Sequence, residues 1–500
     1  MWENAAGEEG TPVSRLLMIL IIQAFFVCSL GLSAPAEEVP EPVLRALIVT
    51  CDRFVSQEDT TPAAQDNAQL VAAMLREDAR GYADIRTECD TIGSVEAFRE
   101  AVLSAFSGAD EDDISLLYIS THGVYNPARS NMTAKLLLSD GVTEEAVTPR
   151  MLEDLLSGIP GTHVLLMDAC HSGAFIGKGL SNWADEVPFS GGTKVLCSAG
   201  GSEDSWYWRS DDSGNLHGAG YFTSILTRGC DAKAGYPADT DRDGRITLRE
   251  AFQWLRRHYA VSTAQVYPEQ DGSFVLFDCG EAAEETGLTG IGFEETVFSG
   301  STNSLRFSFE LGAPMRIAYQ LVYLRRGVWD FPNAVQIAEP DELQPGVYER
   351  ALTLHLADED EDVSGYLMLQ MFSLDGERPV LHESRLISVL PLAGDIALSV
   401  ECPDSFLRKP GAELPVTVRH DIPCVLNVSI ANSRGETVRY LAYEQQSRPQ
   451  HLVPEGTCLY WDGLLSGGMP APAGEYIIRV QTEIGGIIYR AESPLFRLTD

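Results

Sequence analysis

Two stretches of this chain, residues 114–120 (Ile-Ser-Leu-Leu-Tyr-Ile-Ser) and 163–168 (His-Val-Leu-Leu-Met-Asp), are apolar at nearly every position. A strand with one wet face alternates apolar and polar residues, so near-continuous runs fit central strands covered on both faces. Both runs lead straight into polar residues with chemical capability: Thr121-His122-Gly123 after the first, Ala169-Cys170-His171 after the second. In an open α/β sheet the carboxyl ends of the strands are where ligands bind. The pattern therefore predicts a mostly parallel sheet that presents an imidazole and a thiol on one rim.

The surrounding sequence agrees. Residues 44–50 read as a first strand, and Ala64, Ala68, Val71, Ala72 and Leu75 share the face of a helix after it. Ser94 is a good N-cap for a helix presenting Phe98, Val102, Ala105 and Phe106 inward, and Thr148-Pro149 marks another helix start. Residues 194–198 are expected to form a strand and 221–226 a helix. After about residue 283 the texture changes to alternating strands separated by Gly, Pro and Asn turns, as in β-sandwiches. With 500 residues, more than one core is required. We divide the chain into a leader (1–36), an α/β domain (41–282) and two β-sandwich modules (283–394 and 395–500).

A thiol attacks as thiolate, and an imidazole on an adjacent strand end can take its proton and later protonate a leaving amine. Cys170 is thus the candidate nucleophile and His122 the candidate acid/base, with the N–H groups of Gly123 and Cys170 as an oxyanion hole. An activated Cys170 is expected to outpace the other eight mature-chain thiols toward an alkylating reagent. His163, His171 and His217 are not assigned to catalysis.

These motifs resemble the caspase, metacaspase and clostripain superfamily of cysteine peptidases. The 48 positions from His122 to Cys170 (170 minus 122) are close to the roughly 50 seen in caspases. Asp168-Ala169-Cys170-His171-Ser172-Gly173 departs from the caspase Gln-Ala-Cys form and is similar to metacaspase and bacterial versions. The resemblance spans about 41–280 and implies a three-layer α/β fold and peptide or protein substrates. It also implies that Asp168 lies in the primary specificity pocket and pairs with substrate Arg or Lys. Asp66, Glu203 and Asp204 are looser candidates for acidic lining, and Trp206, Tyr207 and Trp208 for a subsite wall.

Asp239, Asp241, Asp243 and Glu250 occupy positions 1, 3, 5 and 12 of an EF-hand-type calcium loop, with Gly244 at position 6. A helix through Phe252, Trp254 and Leu255 should follow, but no helix enters, so a lone structural Ca2+ loop is expected. No organic cofactor is implied, and the absence of a CxxC pair argues against structural zinc.

A net charge of -37 repels phosphate backbones and disfavours nucleic acid as a partner. Residues 16–32 are apolar apart from Gln23, Ser29 and Gly31, and Ser33-Ala34-Pro35-Ala36 follows. This reads as a signal peptide or N-terminal anchor, which makes the protein secreted or cell-surface, with possible envelope association. Near the C-terminus, Thr457-Cys458-Leu459-Tyr460-Trp461-Asp462-Gly463 and Pro472-Ala473-Gly474-Glu475-Tyr476 resemble the immunoglobulin-like domain of flagellar hook-capping proteins. The expectation is an exported cysteine endopeptidase. Its alternative is a non-catalytic surface-binding protein with a degenerate α/β domain.

Overall fold

A computed structural model describes residues 42–500 apart from 57–62, 126–132, 178–188, 190–191, 202, 213–214, 269–270, 281–286, 300–301, 326–327, 356–362, 376–377, 391–396, 410, 421–423, 448–455, 467–468, 485–486 and 500. The leader, including its apolar stretch and cleavage motif, lies outside the described residues. Among those described, no helix is long and apolar enough to cross a membrane.

The apolar runs become the middle of a six-stranded sheet. Its strands are β1 (Leu44–Thr50), β2 (Tyr82–Cys89), β3 (Ile114–Ser120), β4 (Thr162–Asp168), β5 (Thr193–Cys197) and β6 (Gln265–Tyr267), in the spatial order β6-β5-β4-β3-β1-β2. Five run parallel, and β6 closes one edge antiparallel to β5. Because side chains alternate along each strand, β3 and β4 feed two cores at once. Leu116, Tyr118, Val164 and Leu166 face helices α1 (Ala64–Glu77), α4 (Tyr221–Gly229) and α5 (Leu248–His258). Leu117, Ile119, Leu165 and Met167 face α2 (Val95–Ala105) and α3 (Pro149–Leu156). The result is the expected helix–sheet–helix sandwich. Ser94 and Thr148 act as N-caps, accepting from the N–H groups of Ala97 and Met151.

Beyond the α/β domain, the sheets are mostly antiparallel and pack as two sandwiches. The first encloses Leu305, Phe307, Phe309, Tyr319, Leu369 and Met371, and the second surrounds Trp461. Asp462 accepts from the Leu464 N–H and Gly463 takes φ +81°, so the Trp-Asp-Gly passage is a turn below the strand that buries Trp461.

The first sandwich is fused to the α/β domain. Val322, Trp329, Met368 and Leu381 belong to the same continuous core as α1, α4 and α5. The Trp329 indole donates to the Val261 carbonyl (3.2 Å) and the Tyr221 hydroxyl to Gln370 Oε1 (3.4 Å). At this seam the buried His258 at the end of α5 sits 2.6 Å from the fully buried Glu383 carboxylate, which also faces Arg385 at 3.2 Å. Removing one partner of such a buried contact leaves the other polar group without its bond in a dry interior, which typically costs about 1–3 kcal/mol.

Candidate active site

β3 ends at Ser120 and β4 at Asp168, and the chain immediately beyond each lines one pocket that holds His122, Cys170 and Asp168 together with Asp52, Phe54, Ser205, Trp206 and Tyr207. The two loops are locked to each other: the Thr121 N–H donates to the Asp168 carbonyl (3.2 Å). Gly123 is where the loops nearly touch, since a Cβ there would lie 1.6 Å from the Cys170 carbonyl oxygen. The close neighbour is the backbone of the candidate nucleophile, which any side chain at 123 would displace.

The His122 ring packs against Phe54 with centroids 4.3 Å apart. Burial lowers its basicity and the Glu144 carboxylate partly offsets this, so the imidazole is neutral at neutral pH. Glu144 is itself fixed by the N–H groups of Val55 (2.8 Å) and Ser56 (3.1 Å). Cys170 Sγ accepts from the Ser205 N–H (3.3 Å) and faces the Ser205 carbonyl (3.6 Å). Burial foremost, then the Asp204 carboxylate, pushes its thiol up to about 12. No hydrogen bond joins imidazole and thiol. The burial of Sγ thus works against thiolate formation, and the nearby imidazole is neutral.

Asp168 is almost wholly buried. Its oxygens accept from Ser205 Oγ (2.8 Å) and Thr223 Oγ1 (2.7 Å), and Thr223 is in turn 2.5 Å from the Tyr118 hydroxyl. Gly220 leaves the space above it, since a Cβ there would stand 1.9 Å from Oδ2. The Thr223 N–H and the Ser198 hydroxyl add hydrogen bonding to the same carboxyl. Burial raises the Asp168 pKa, a cost that a cation bound beside it would offset.

The looser acidic candidates sort differently. Asp66 is turned toward the Gly218 N–H (3.1 Å), and Glu203 is engaged by Gly200, Ser262 and Thr263. Neither lines the pocket, whereas Asp52, which sequence reasoning missed, does. Burial foremost, and repulsion from Asp90 and Asp66, raise Asp52 to about 7, although the Ala63 and Ala64 N–H groups at the start of α1 oppose this. Its position two residues past the end of β1 was the available signal. Of the three aromatic candidates, Trp206 and Tyr207 wall the pocket, while Trp208 is buried and donates to Ser224 Oγ (2.9 Å).

In the calcium-type loop one oxygen from each of Asp239, Asp241 and Asp243 gathers within 4.8 Å, and Gly244 takes φ +84°. Glu250 stands outside this group. Its carboxylate accepts from Thr240 and Thr247 and completes a capping box at the start of α5. A twelfth-position ligand that already caps a helix must give up that bonding to reach an ion, so three of the four expected ligands converge.

Residues 44–257 match the family described as the caspase domain. That segment is a caspase-like domain, with the fold of a family of cysteine peptidases that act on proteins or peptides. Among solved structures, protein GSU0716 from Geobacter sulfurreducens is 16% identical, with 45% of this chain and 93% of that chain covered and a TM-score of 0.32. Caspase-1 from Spodoptera frugiperda is 14% identical, with 45% and 86% covered and a TM-score of 0.28. Among curated proteins nothing matches.

Proposed function

We propose that this protein is an exported cysteine endopeptidase that cuts after Arg or Lys, with Cys170 as nucleophile and His122 as acid/base. The observation that carries the reading is one pocket lined by a thiol and an imidazole from adjacent strand ends and by a buried carboxylate, Asp168. Since thiol and imidazole rest neutral, His122 takes the proton as Sγ bonds to the scissile carbonyl carbon. The Gly123 and Cys170 N–H groups receive the oxyanion, and the C–N bond then breaks as His122 protonates the amine. Water, deprotonated by His122, hydrolyses the thioester and regenerates the thiol. The leader supports export, to the medium or to the cell surface. A peptide-library cleavage assay on the mature chain, with and without calcium, tests the reading; absence of any cleavage product overturns it.

Two titrations shape the expected pH profile. Protonated His122 is no base, so kcat/KM falls as pH drops through a value below the ordinary 6.5. For basic substrates a second rise is expected near pH 7, where Asp52 ionises and adds negative charge to the pocket. Asp52→Asn should remove that second rise alone, and identical profiles for the two proteins would exclude Asp52 from substrate binding.

Calcium is assigned to Asp239, Asp241 and Asp243, with Glu250 recruited on binding. Three carboxylates this close repel one another until a cation joins them. At a hundredfold excess over Kd the ion stabilises by about 2.7 kcal/mol, which raises the Tm of a cooperative unit of roughly 350 residues by about 4 °C. A Tm indifferent to both chelator and excess calcium would show the loop does not bind it.

A further inference from the structure

The pocket around Cys170 encloses about 90 Å³, room for the end of one side chain. Its wall of Trp206 and Tyr207 has a second side, facing a cavity of about 610 Å³ between the caspase-like domain and the first sandwich. Phe331 from the sandwich stacks on Tyr221 (centroids 5.9 Å, planes at 20°) and lies 5.7 Å from Trp206. Phe372 and Leu374 come from the same module. In a chain of net charge -37, the described residues lining this cavity include no Asp, Glu, Lys, Arg or His. Gln320 and Gln336 supply amides instead, a donor and acceptor set suited to a peptide backbone.

We propose that this cavity is a second substrate subsite, built jointly by the two domains, that takes a large apolar side chain of the same peptide whose basic residue enters the Asp168 pocket. The proposal rests on the peptidase reading above. Continuity with the catalytic pocket argues for the substrate as occupant. The Ser205 N–H is 3.3 Å from Cys170 Sγ and the next residue, Trp206, walls both spaces. An extended peptide advances about 3.3 Å per residue, so a side chain two to four residues from the scissile bond reaches the cavity. The sandwich is then part of the specificity apparatus, and Phe331 and Leu374 are specificity residues outside the caspase-like domain.

The test varies the substrate on the unmodified mature protein. Peptides with one Arg at the cleavage site carry Leu, Phe or Gly at each of the four positions on either side. A Leu or Phe is expected to raise kcat/KM about 10- to 100-fold over Gly at one position. Phe331→Ala, and independently Leu374→Lys should the first not fold, should collapse that ratio. Reduced-amide versions of the same peptides are also titrated by tryptophan fluorescence. Cleavage that ignores the apolar residue at every position overturns the subsite and leaves the peptidase reading standing. Apolar-dependent binding without cleavage supports the subsite and removes the peptidase reading. Neither discrimination nor binding overturns both. A Leu374→Lys protein that keeps the ratio but changes from dimer to monomer would assign the cavity to a second copy of the chain and overturn the proposal.

Discussion

Cys170→Ala is expected to lower peptide hydrolysis by at least about four orders of magnitude while leaving the fold intact. The thiol's contacts with the Ser205 backbone are two long sulfur hydrogen bonds, so its loss costs little stability. His122→Ala should lose turnover to a similar degree, because a thiol held up near 12 supplies almost no thiolate of its own at neutral pH. Alkylation separates the two roles. In the substrate-free protein, modification of Cys170 should be slow at pH 7 and rise about tenfold per pH unit up to pH 10. His122→Ala should change that rate little, since the resting imidazole makes no hydrogen bond to the thiol. Circular dichroism and the melting curve check that both variants fold. If His122→Ala keeps near-wild-type turnover, the assignment of the base is wrong.

For Asp168→Asn the expected result is a change of preference. Asparagine keeps the size and accepts from one of the two hydroxyls, its NH2 donating to the other, but removes the charge. In a buried site that charge is worth roughly 2–4 kcal/mol of transition-state binding to a guanidinium or ammonium. Catalytic efficiency on Arg or Lys peptides should therefore drop by about 30- to 1000-fold, with far less change for a neutral residue at the same position. The measurement is the ratio of kcat/KM for matched Arg and Asp peptides in both proteins. An unmodified enzyme that prefers Asp, or an unchanged ratio in the variant, would reduce Asp168 to a structural acceptor for two hydroxyls.

What the sequence made legible was what short-range rules govern. The runs at 114–120 and 163–168 fixed β3 and β4 because a strand covered on both faces has no polar positions to spare. Ser94 and Thr148 announced their helices because a cap acts within three residues. The neighbourhood of His122 and Cys170 followed from both lying just past strand ends. Contacts across long stretches of sequence were not legible. Glu144, at the start of a short strand, and Phe54, in a loop, approach His122 from elsewhere in the sequence, and nothing in their local pattern marks them. Asp66 and Asp52 flank the same helix start, and only the three-dimensional course of the chain decides which faces the pocket. Glu250 fits a ligand pattern and a capping pattern equally well, and in the structure the capping bonds are the ones made.

The seam around His258 and Glu383 bears on how this molecule comes apart. A change in sequence texture near residue 283 looks like a place to cut, yet the apolar layer under α4 and α5 continues through Val322, Trp329, Met368 and Leu381 without interruption. A fragment ending there would uncover that layer and leave His258 facing solvent without its carboxylate. The caspase-like domain and the first sandwich are accordingly expected to melt as one cooperative unit, and two separate calorimetric transitions would show that they do not. At about 0.7 kcal/mol per residue near 60 °C, the roughly 350 residues involved absorb heat on the order of 240 kcal/mol in a single calorimetric peak, and the chain's smallest self-sufficient piece is larger than its catalytic motif suggests.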